Sequence, residues 1–369
     1  MKSIYSFLDT PSLIIDKDIA YSNIKMMQER ATALGIALRP HIKTHRMPYF
    51  AKIQVAEGAI GITVAKIGEA EVMADNGISD IFIANEIVGI SKYNRIRELA
   101  RKIKIRIGVD NSVQVDQIEQ VFEGEPKPLE VLIEYEVGEN RSGVITDQQL
   151  IDLANYIKTK KNIVLKGIFS HEGHTYKAND RASALELSQI SYEKTLRAAN
   201  IIRDLGAEID TVSVGATPSI LNGAFIKGIT EFRPGTYIFM DLGQAGAIHS
   251  LKQCAATVLA TIISKPTNER VVLDTGAKAL VAQNRETGIC ATNGFGYVKR
   301  SDDVRIVGLF DEHGLIINKN FCDVFEIGDK IEIIPSHICP TVNLYDEAYI
   351  VSDGVVVEVV PILCRGKSK

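Results

Sequence analysis

Short apolar stretches of strand length alternate with longer amphipathic stretches through the first two-thirds of the chain. The run "DIFIANE" precedes "SKYNRIRELARK", and "KIRIGVD" precedes "SVQVDQIEQVFEG". Repeated strand–helix units of this kind predict a parallel sheet with helices outside it. Counting "SLIID" as the first strand, eight or so units over about 230 residues favour a closed (β/α)8 barrel. No strand precedes a G-x-G-x-x-G turn, which argues against an open nucleotide-binding sheet.

From about Cys254 the pattern changes to β-branched, alternating segments separated by Gly, Asp, Asn and Pro turns. Examples are "CAATVLATIIS" and "RVVLDTG". Such segments predict an antiparallel β domain with almost no helix. We therefore assign residues 1–250 to the barrel and residues 251–369 to a C-terminal β domain. We place the boundary near residues 245–255. We leave open whether the first residues of the chain belong to the barrel or to the β domain.

Composition narrows the class of protein. The 369 residues are 46% hydrophobic and 24% charged, and 42 basic against 46 acidic residues give a net charge of −4. That balance argues against a nucleic-acid partner. No apolar run approaches the roughly 18 residues that span a bilayer. The apolar stretch within "MKSIYSFLDTPS" is too short for a signal peptide. Five scattered cysteines without a Cys-x-x-Cys pair fit reduced thiols, so we predict a cytoplasmic protein.

Unusual polar residues follow the predicted strands. Lys43 in "RPHIKTH" follows the second apolar run, Arg141 in "GENRSGV" the sixth, and His171 and His174 in "FSHEGHTY" the seventh. The loops "SVGATPS" and "RPGTY" follow the last two runs. Active sites of such barrels lie at the C-terminal ends of the strands, so these groups are expected to share one rim.

Lys43 has basic neighbours at alternate positions, His41 and His45. An extended backbone would place all three on one face, where nearby cations lower the pKa of an amine and make it available for covalent chemistry. A solvated basic strand end is the alternative. The two late loops carry Gly with Thr or Ser, which suits phosphate, although ordinary turns share that composition. A reactive lysine and a phosphate site together suggest pyridoxal 5′-phosphate.

A second candidate site is the pair His337 and Cys339 in "PSHICPTVNLYD". On an extended backbone both side chains point the same way, and imidazole with thiolate suits Zn²⁺. Two ligands are too few for a structural zinc site but leave positions open for substrate or water. A chance pair is the alternative.

These segments, with "EFRPGTY", "LDTGAKAL" and "DEHG", resemble in order the signatures of the fold-type III pyridoxal-phosphate enzymes. More narrowly, the chain is similar to the D-serine dehydratase / D-threonine aldolase group. The resemblance runs from about "TPSLIID" to "VVEVVPIL". It implies an alanine-racemase-like (β/α)8 barrel with a C-terminal antiparallel β domain, and a homodimer.

The resemblance also implies roles for individual residues. Lys43 matches the lysine that carries the cofactor and acts as the base at Cα. The residues matched to the rest of the cofactor are His171 against the ring, Arg141 near the phenolic oxygen, and Tyr176, Thr217, Gly235 and Thr236 at the pyridine edge and phosphate. His337 and Cys339 match the metal ligands, with Zn²⁺ preferred and Mn²⁺ or Mg²⁺ as alternatives.

The implied activity is that of a lyase on a small D-amino acid with a β-hydroxyl. The His-x-Cys form favours D-serine dehydratase-like elimination to a 2-oxo acid and ammonia. The alternative is retro-aldol cleavage of D-threonine or 3-hydroxy-D-aspartate, with His174 as the base. An amino-acid racemase and a non-catalytic pyridoxal-phosphate-binding protein share the fold. For four residues we leave open whether they have a structural role in a turn or a role in the active site: Asp274, Lys278, Glu312 and His313.

Overall fold

A computed structural model describes residue 5 and residues 7–369. The N-terminal segment that was predicted to lack a signal peptide includes residues 1–4 and 6, and these residues lie outside this description. The strands are β1 Ser12–Asp16, β2 Ala37–Leu38, β3 Ile62–Val64, β4 Asp80–Glu86, β5 Lys104–Val109, β6 Leu129–Glu134, β7 Ile163–Phe169, β8 Thr211–Val214, β9 Glu231–Phe232, β10 Ala256–Ser264, β11 Arg270–Leu273, β12 Gly296–Val298, β13 Arg305–Ile306, β14 Gly308–Leu309, β15 Gly314–Ile317, β16 Lys330–Pro335, β17 Glu347–Ser352 and β18 Val355–Pro361.

Helices connect and flank these strands. They are α1 Lys17–Ala33, α2 Pro48–Ala56, α3 Ile67–Asp75, α4 Ile90–Ala100, α5 Ser112–Val121, α6 Asp147–Lys158, α7 Arg181–Asp204, α8 Thr217–Leu221, α9 Leu242–Ile248, α10 Lys319–Val324 and α11 Ile338–Val342. Short 3₁₀ turns lie at Gly173–Lys177 and Thr236–Ile238. Within the described residues, every helix is too short or too polar to cross a bilayer.

The predicted barrel is confirmed. Strands β2 to β9 form one parallel sheet in the order β2-β9-β8-β7-β6-β5-β4-β3. The two ends of this sheet meet through a parallel bridge between His41 and Thr63. The Ile42 amide donates to Thr63 O at 2.9 Å and the Thr63 amide donates to Pro40 O at 2.8 Å, which closes the ring.

The first apolar run, "SLIID", is not a barrel strand, so its assignment as the first one is wrong. Strand β1 (Ser12–Asp16) pairs antiparallel with β10 and parallel with β17 in the sheet of the β domain. Its first four residues are buried, which is the pattern of a central strand in either sheet. Burial therefore predicts a strand here but does not identify its partners.

The remaining strands form a ten-stranded sheet together with β1. All its pairings are antiparallel except that of β1 with β17. The expected antiparallel β domain is thus confirmed, and its helices are limited to the short α10 and α11. Helix α11 begins directly after His337, so it positions both candidate metal ligands.

The barrel interior is layered. Around the residues where strands begin, the guanidinium of Arg39 lies between Glu231 and Asp80. Above this layer Phe82 and Phe169 pack edge to face, with ring centroids 5.1 Å apart. Phe169 also lines the cavity that opens at the C-terminal ends of the strands, and Phe82 packs against it from below.

Candidate active site

A cavity of about 340 Å³ opens at the C-terminal ends of the barrel strands. Its walls come from strand ends and from the loops that follow them, as the position of catalytic groups in such barrels predicts. All seven residues matched to the cofactor line it: Lys43, Arg141, His171, Tyr176, Thr217, Gly235 and Thr236. The strand-end pattern therefore gathers residues that lie almost 200 positions apart in the chain into one place.

Lys43 lies in a turn rather than on a strand end, because β2 stops at Leu38. The expectation that three basic side chains share one face is therefore wrong. His41 lines the cavity with Lys43, whereas His45 lies apart, with its Nε2 3.2 Å from Gln54 Oε1. Burial lowers the pKa of Lys43, and the charge of Arg141 lowers it further, against the opposing effect of Cys339. Burial also lowers the pKa of His41 well below its usual value, with Lys43 adding to the effect.

His171, Glu139 and Arg141 form a chain along one wall. His171 Nδ1 lies 2.9 Å from Glu139 Oε2, and Arg141 lies 3.5 Å from both Glu139 and Glu134. Burial lowers the pKa of His171 to about 4 although Glu139 opposes this effect. The imidazole is therefore neutral near pH 7, and its Nδ1–H donates to the carboxylate. This hydrogen bond fixes the tautomer and the plane of the ring.

Sequence reasoning missed a carboxyl pair in the same cavity, Glu86 and Glu134. Burial raises the pKa of Glu86 to about 8, and its hydrogen bond with Glu134 adds to the increase. Glu86 therefore keeps its proton near neutral pH, since a second charge beside Glu134 is costly there. Glu86 ends the run "DIFIANE", so the strand-end criterion used for Lys43 applies to it equally.

The opposite corner suits an anion. Thr217 Oγ1 is buried and has no hydrogen-bond partner among the described residues. A Cβ at Gly235 would come within 3.2 Å of His41 O and Thr44 Oγ1, so glycine leaves room that a side chain would fill. The buried guanidinium of Arg233, a second residue that was missed, lines this cavity and donates to Ser213 Oγ and Ser170 O, and it forms no ion pair with any described residue.

An aldehyde-bearing aromatic phosphate fits this set of groups. The amine of Lys43, the neutral ring of His171 and the unpaired hydroxyl of Thr217 all face one cavity. The guanidinium of Arg233 adds a positive charge to the cavity wall, which favours an anion. Pyridoxal 5′-phosphate, the cofactor implied by the sequence, therefore agrees with the residues present.

His337 and Cys339 meet at the start of α11. His337 is extended, at φ −142° and ψ 108°, and precedes the helix, so the pair meets at a helix start and not along a strand. Burial opposes ionisation of Cys339, but its hydrogen bond to His337 and the charge of Lys43 lower the thiol pKa to about 7. The thiol Sγ lies 3.2 Å from Thr44 Oγ1, next to the cavity.

A thiolate beside an imidazole is a soft donor pair that suits a divalent metal. His337 Nδ1 lies 2.7 Å from Gln283 Oε1, which fixes the ring orientation. Among the described residues no third His, Cys, Asp or Glu completes a metal-binding group. Further ligands would have to be water or substrate, which is the arrangement of an open catalytic site.

His174, the predicted aldolase base, does not line the cavity. Its Nε2 lies 3.4 Å from Ser191 Oγ, and its ring packs against Gly138, where a Cβ would come within 3.0 Å. Its Nδ1 is buried without a hydrogen-bond partner. The ring thus occupies the space between α7 and the loop after β6.

The four residues left open lie away from the cavity. Asp274 accepts hydrogen bonds from the Thr261 amide at 2.8 Å and from Thr10 Oγ1 at 2.5 Å, so it connects strands of the β domain. Lys278 and Glu312 form an exposed ion pair at 2.5 Å, and His313 is exposed beside them.

Comparison with known proteins gives two domain matches. Residues 15–243 match the model "Alanine racemase, N-terminal domain", and residues 255–351 match "Putative serine dehydratase domain". The chain is 33% identical to a D-threonine aldolase of Arthrobacter sp over 98% of this chain and 94% of that protein. It is 27% identical to a D-serine dehydratase of Dictyostelium discoideum over 94% of each chain.

Among solved structures, D-threo-3-hydroxyaspartate dehydratase from Delftia sp. HT23 has a TM-score of 0.91 and 26% identity, over 98% of this chain and 99% of that one. A cysteine-to-alanine variant of that dehydratase is described "in the metal-free form". The likeness thus covers both the barrel and the β domain.

Proposed function

The chain belongs to the family of the alanine racemase N-terminal domain, and we propose that it is a pyridoxal 5′-phosphate-dependent lyase that acts on D-β-hydroxy amino acids. The observation that carries this proposal is a thiol–imidazole pair directly behind the wall of the cavity that contains a lysine of lowered pKa. Cys339 Sγ lies 3.7 Å from Oγ1 of the wall residue Thr236 and 3.2 Å from Oγ1 of Thr44, the neighbour of Lys43. Racemisation would need the lysine but not the metal pair.

The residues divide the work of holding the cofactor. Lys43 would carry it, Thr217 with the backbone at Gly235 and Thr236 would hold its phosphate, and the neutral ring of His171 would lie against it. Arg141 would supply a positive charge near its phenolic oxygen. When bound, the cofactor withdraws electrons from the bonds at the substrate Cα.

For elimination, Lys43 takes the α-proton of the substrate. Its lowered pKa increases the fraction of free amine near neutral pH, which is the form a general base needs. A divalent ion held by His337 and Cys339, with Zn²⁺ our first choice, would supply Lewis acidity at the β-hydroxyl. The α-proton and the β-hydroxide leave as one water, and the enamine product hydrolyses to a 2-oxo acid and ammonia.

Retro-aldol cleavage is the second candidate, favoured by the 33% identity to a D-threonine aldolase. That reaction needs a base on the β-hydroxyl. His174, which was assigned this task, lies outside the cavity. His174 is therefore not supported as that base, and the products distinguish elimination from aldol cleavage.

A product assay distinguishes these activities. Purified protein loaded with pyridoxal 5′-phosphate is given D-serine, D-threonine or D-threo-3-hydroxyaspartate, with Zn²⁺ or with a chelator, and 2-oxo acid and glycine are quantified. We expect a 2-oxo acid that the chelator abolishes. Glycine with an aldehyde would establish the aldolase instead. Inverted amino acid alone would indicate a racemase, and a bound cofactor without any turnover would indicate a carrier protein.

We further propose a cytoplasmic homodimer. The family resemblance supports the dimer, and the five cysteines are all free thiols, which suits a reducing compartment. Light scattering of the loaded protein tests the dimer: a mass twice that of the chain supports it, and the mass of one chain contradicts it.

A further inference from the structure

The loop between β11 and β12 reaches from the β domain onto the barrel rim. The Ile289 amide donates to Ala178 O at 2.7 Å and the Cys290 amide donates to Tyr176 O at 3.4 Å. Gly288 lies so close that a Cβ there would come within 2.5 Å of Lys177 Cα. These contacts fix the loop directly over Tyr176, one wall of the cavity.

The loop carries Arg285 to this position. Its backbone is held twice by Thr292: the Arg285 amide donates to Thr292 Oγ1 at 3.3 Å, and Arg285 O accepts from the Thr292 amide at 2.9 Å. The guanidinium lies over the Tyr176 ring, with Cζ 5.2 Å from the ring centroid. A Cβ at Gly243 would come within 2.5 Å of Arg285 Nη1, so glycine is needed for the guanidinium to lie there.

The guanidinium has an unused donor. Arg285 Nη1 is buried without a hydrogen-bond partner, and in the described part of the chain Arg285 forms no ion pair. Asp241 lies across Gly243, but its two oxygens already accept from the amides of Gln244 at 2.9 Å and Ile338 at 3.1 Å. A buried guanidinium donor without an acceptor is costly unless a ligand supplies one.

We propose that Arg285 is the residue that binds the carboxylate of the substrate. This inference rests on the proposed function, which makes the substrate an amino acid. A planar guanidinium fixed by stacking presents an edge that matches a carboxylate in two-point contact. The same loop contacts the metal pair, because Gln283, two residues before Arg285, has its Oε1 2.7 Å from His337 Nδ1.

Two carboxylates could occupy this place. The α-carboxylate is present in every D-β-hydroxy amino acid, whereas a β-carboxylate is present only in 3-hydroxyaspartate. D-alanine and D-aspartate distinguish them, because both lack the β-hydroxyl and differ only in the second carboxylate. Their dissociation constants are measured from the change in cofactor absorbance of the loaded protein, with D-alaninamide as the ligand without a carboxylate.

The variants are Arg285→Met and Arg285→Lys, with Lys177→Met as the control. Lys177 is exposed and adjoins Tyr176, so its removal takes one positive charge from the same rim. A hydrogen bond to a charged group is worth roughly a 10- to 150-fold change in affinity. We expect Arg285→Met to weaken carboxylate ligands by that factor, Arg285→Lys to restore part of it, and Lys177→Met to change little.

Each outcome decides the proposal. Weaker D-alanine and D-aspartate binding with D-alaninamide unchanged supports the α-carboxylate, and weaker D-aspartate alone supports the β-carboxylate. Equal loss for all three ligands, or no loss for any, overturns the assignment. Melting temperature and cofactor absorbance show that each variant is folded and loaded. D-alanine and D-aspartate lack a β-hydroxyl, so they cannot be dehydrated or cleaved. The titration therefore stays informative even if the product assay refutes the lyase.

Discussion

The two ends of the barrel bury charge in different ways. At the end where strands begin, Arg39 is only 2% exposed and binds Glu231 at 2.7 Å and Asp80 at 2.5 Å. At the end where strands stop, Lys43 is largely buried but forms no ion pair among the described residues, and Arg285 Nη1 has no partner.

This difference separates structural from functional charge. A paired buried ion is committed to its partner, and removing one member leaves the other uncompensated. An unpaired buried group has its pKa shifted and its hydrogen-bonding capacity free, which is what a cofactor or substrate requires. Burial alone therefore does not distinguish the two ends of the barrel, whereas the ion pairs of Arg39 and the unpaired amine of Lys43 do.

Removing Lys43 should give the largest effect. Lys43→Ala takes away both the covalent attachment and the base, and we expect activity to fall by at least about 10⁴-fold. The absorbance of lysine-bound cofactor should be lost as well. Lys52→Ala, an exposed lysine on α2, is the control and should keep both properties. Retained cofactor absorbance in Lys43→Ala would contradict the assignment.

Removing the ion pairs of Arg39 at the end where strands begin should lower the stability of the protein without changing its catalytic activity. Arg39→Met leaves Glu231 buried without its cation and Asp80 paired with Lys104 alone, and we expect the free energy of unfolding to fall by about 3–5 kcal/mol. Arg101→Met removes a surface pair with Glu125 and should lower stability far less, because solvent screens that pair. Urea unfolding measures both. Equal losses would show that the buried network is no more structural than a surface pair.

Cys339→Ala tests the metal pair. We expect the bound metal to be lost and activity to fall by about 10²- to 10³-fold, because Lewis acidity at the leaving group is removed. Cys322→Ala is the matched control, a buried thiol in the β domain whose Sγ lies near Thr267 O. Metal analysis and turnover are measured for both. A full complement of metal in Cys339→Ala would refute the role of the thiol.

The smallest expected effect concerns Glu86. Its pKa in the folded protein, about 8, lies above the ordinary value of 4.5, so the native state binds a proton that the unfolded chain releases. The stabilisation is complete below about pH 4.5 and is lost as the pH rises toward 8. Partial exposure reduces it to on the order of 1–2 kcal/mol.

Glu86→Gln keeps a neutral side chain at every pH. Relative to this variant, the wild-type protein should therefore lose stability between pH 5 and pH 8.5 in urea unfolding of the cofactor-free protein. Glu98→Gln, on the exposed face of α4, should show no such trend. Parallel pH profiles for the wild type and Glu86→Gln would mean that Glu86 is ionised in the folded state.

The strand–helix alternation was sufficient to predict the barrel because each parallel strand is a buried apolar run next to an amphipathic helix. It failed for Ser12–Asp16, since the same buried pattern suits a central strand of the β domain. Apolar periodicity specifies that a strand is covered on both faces. The identity of its neighbours depends on contacts distant in the chain.

The strand-end criterion collected the cavity residues for the same reason: parallel strands end together. It gave the wrong orientation for His45, because the backbone turns after Leu38. It could not find Arg285, which comes from a loop of the β domain and reaches Tyr176 only through tertiary docking. The raised pKa of Glu86 likewise depends on its contact with Glu134, which sequence spacing does not reveal.

The most direct test of the account is to reduce the pyridoxal-phosphate-loaded protein with borohydride and locate the pyridoxyl group by peptide mass spectrometry. We predict one modified residue, Lys43, in the peptide that contains "PHIKTH". Modification of another lysine, or of none, would contradict the claim that the catalytic site lies at the end of the barrel where the strands stop.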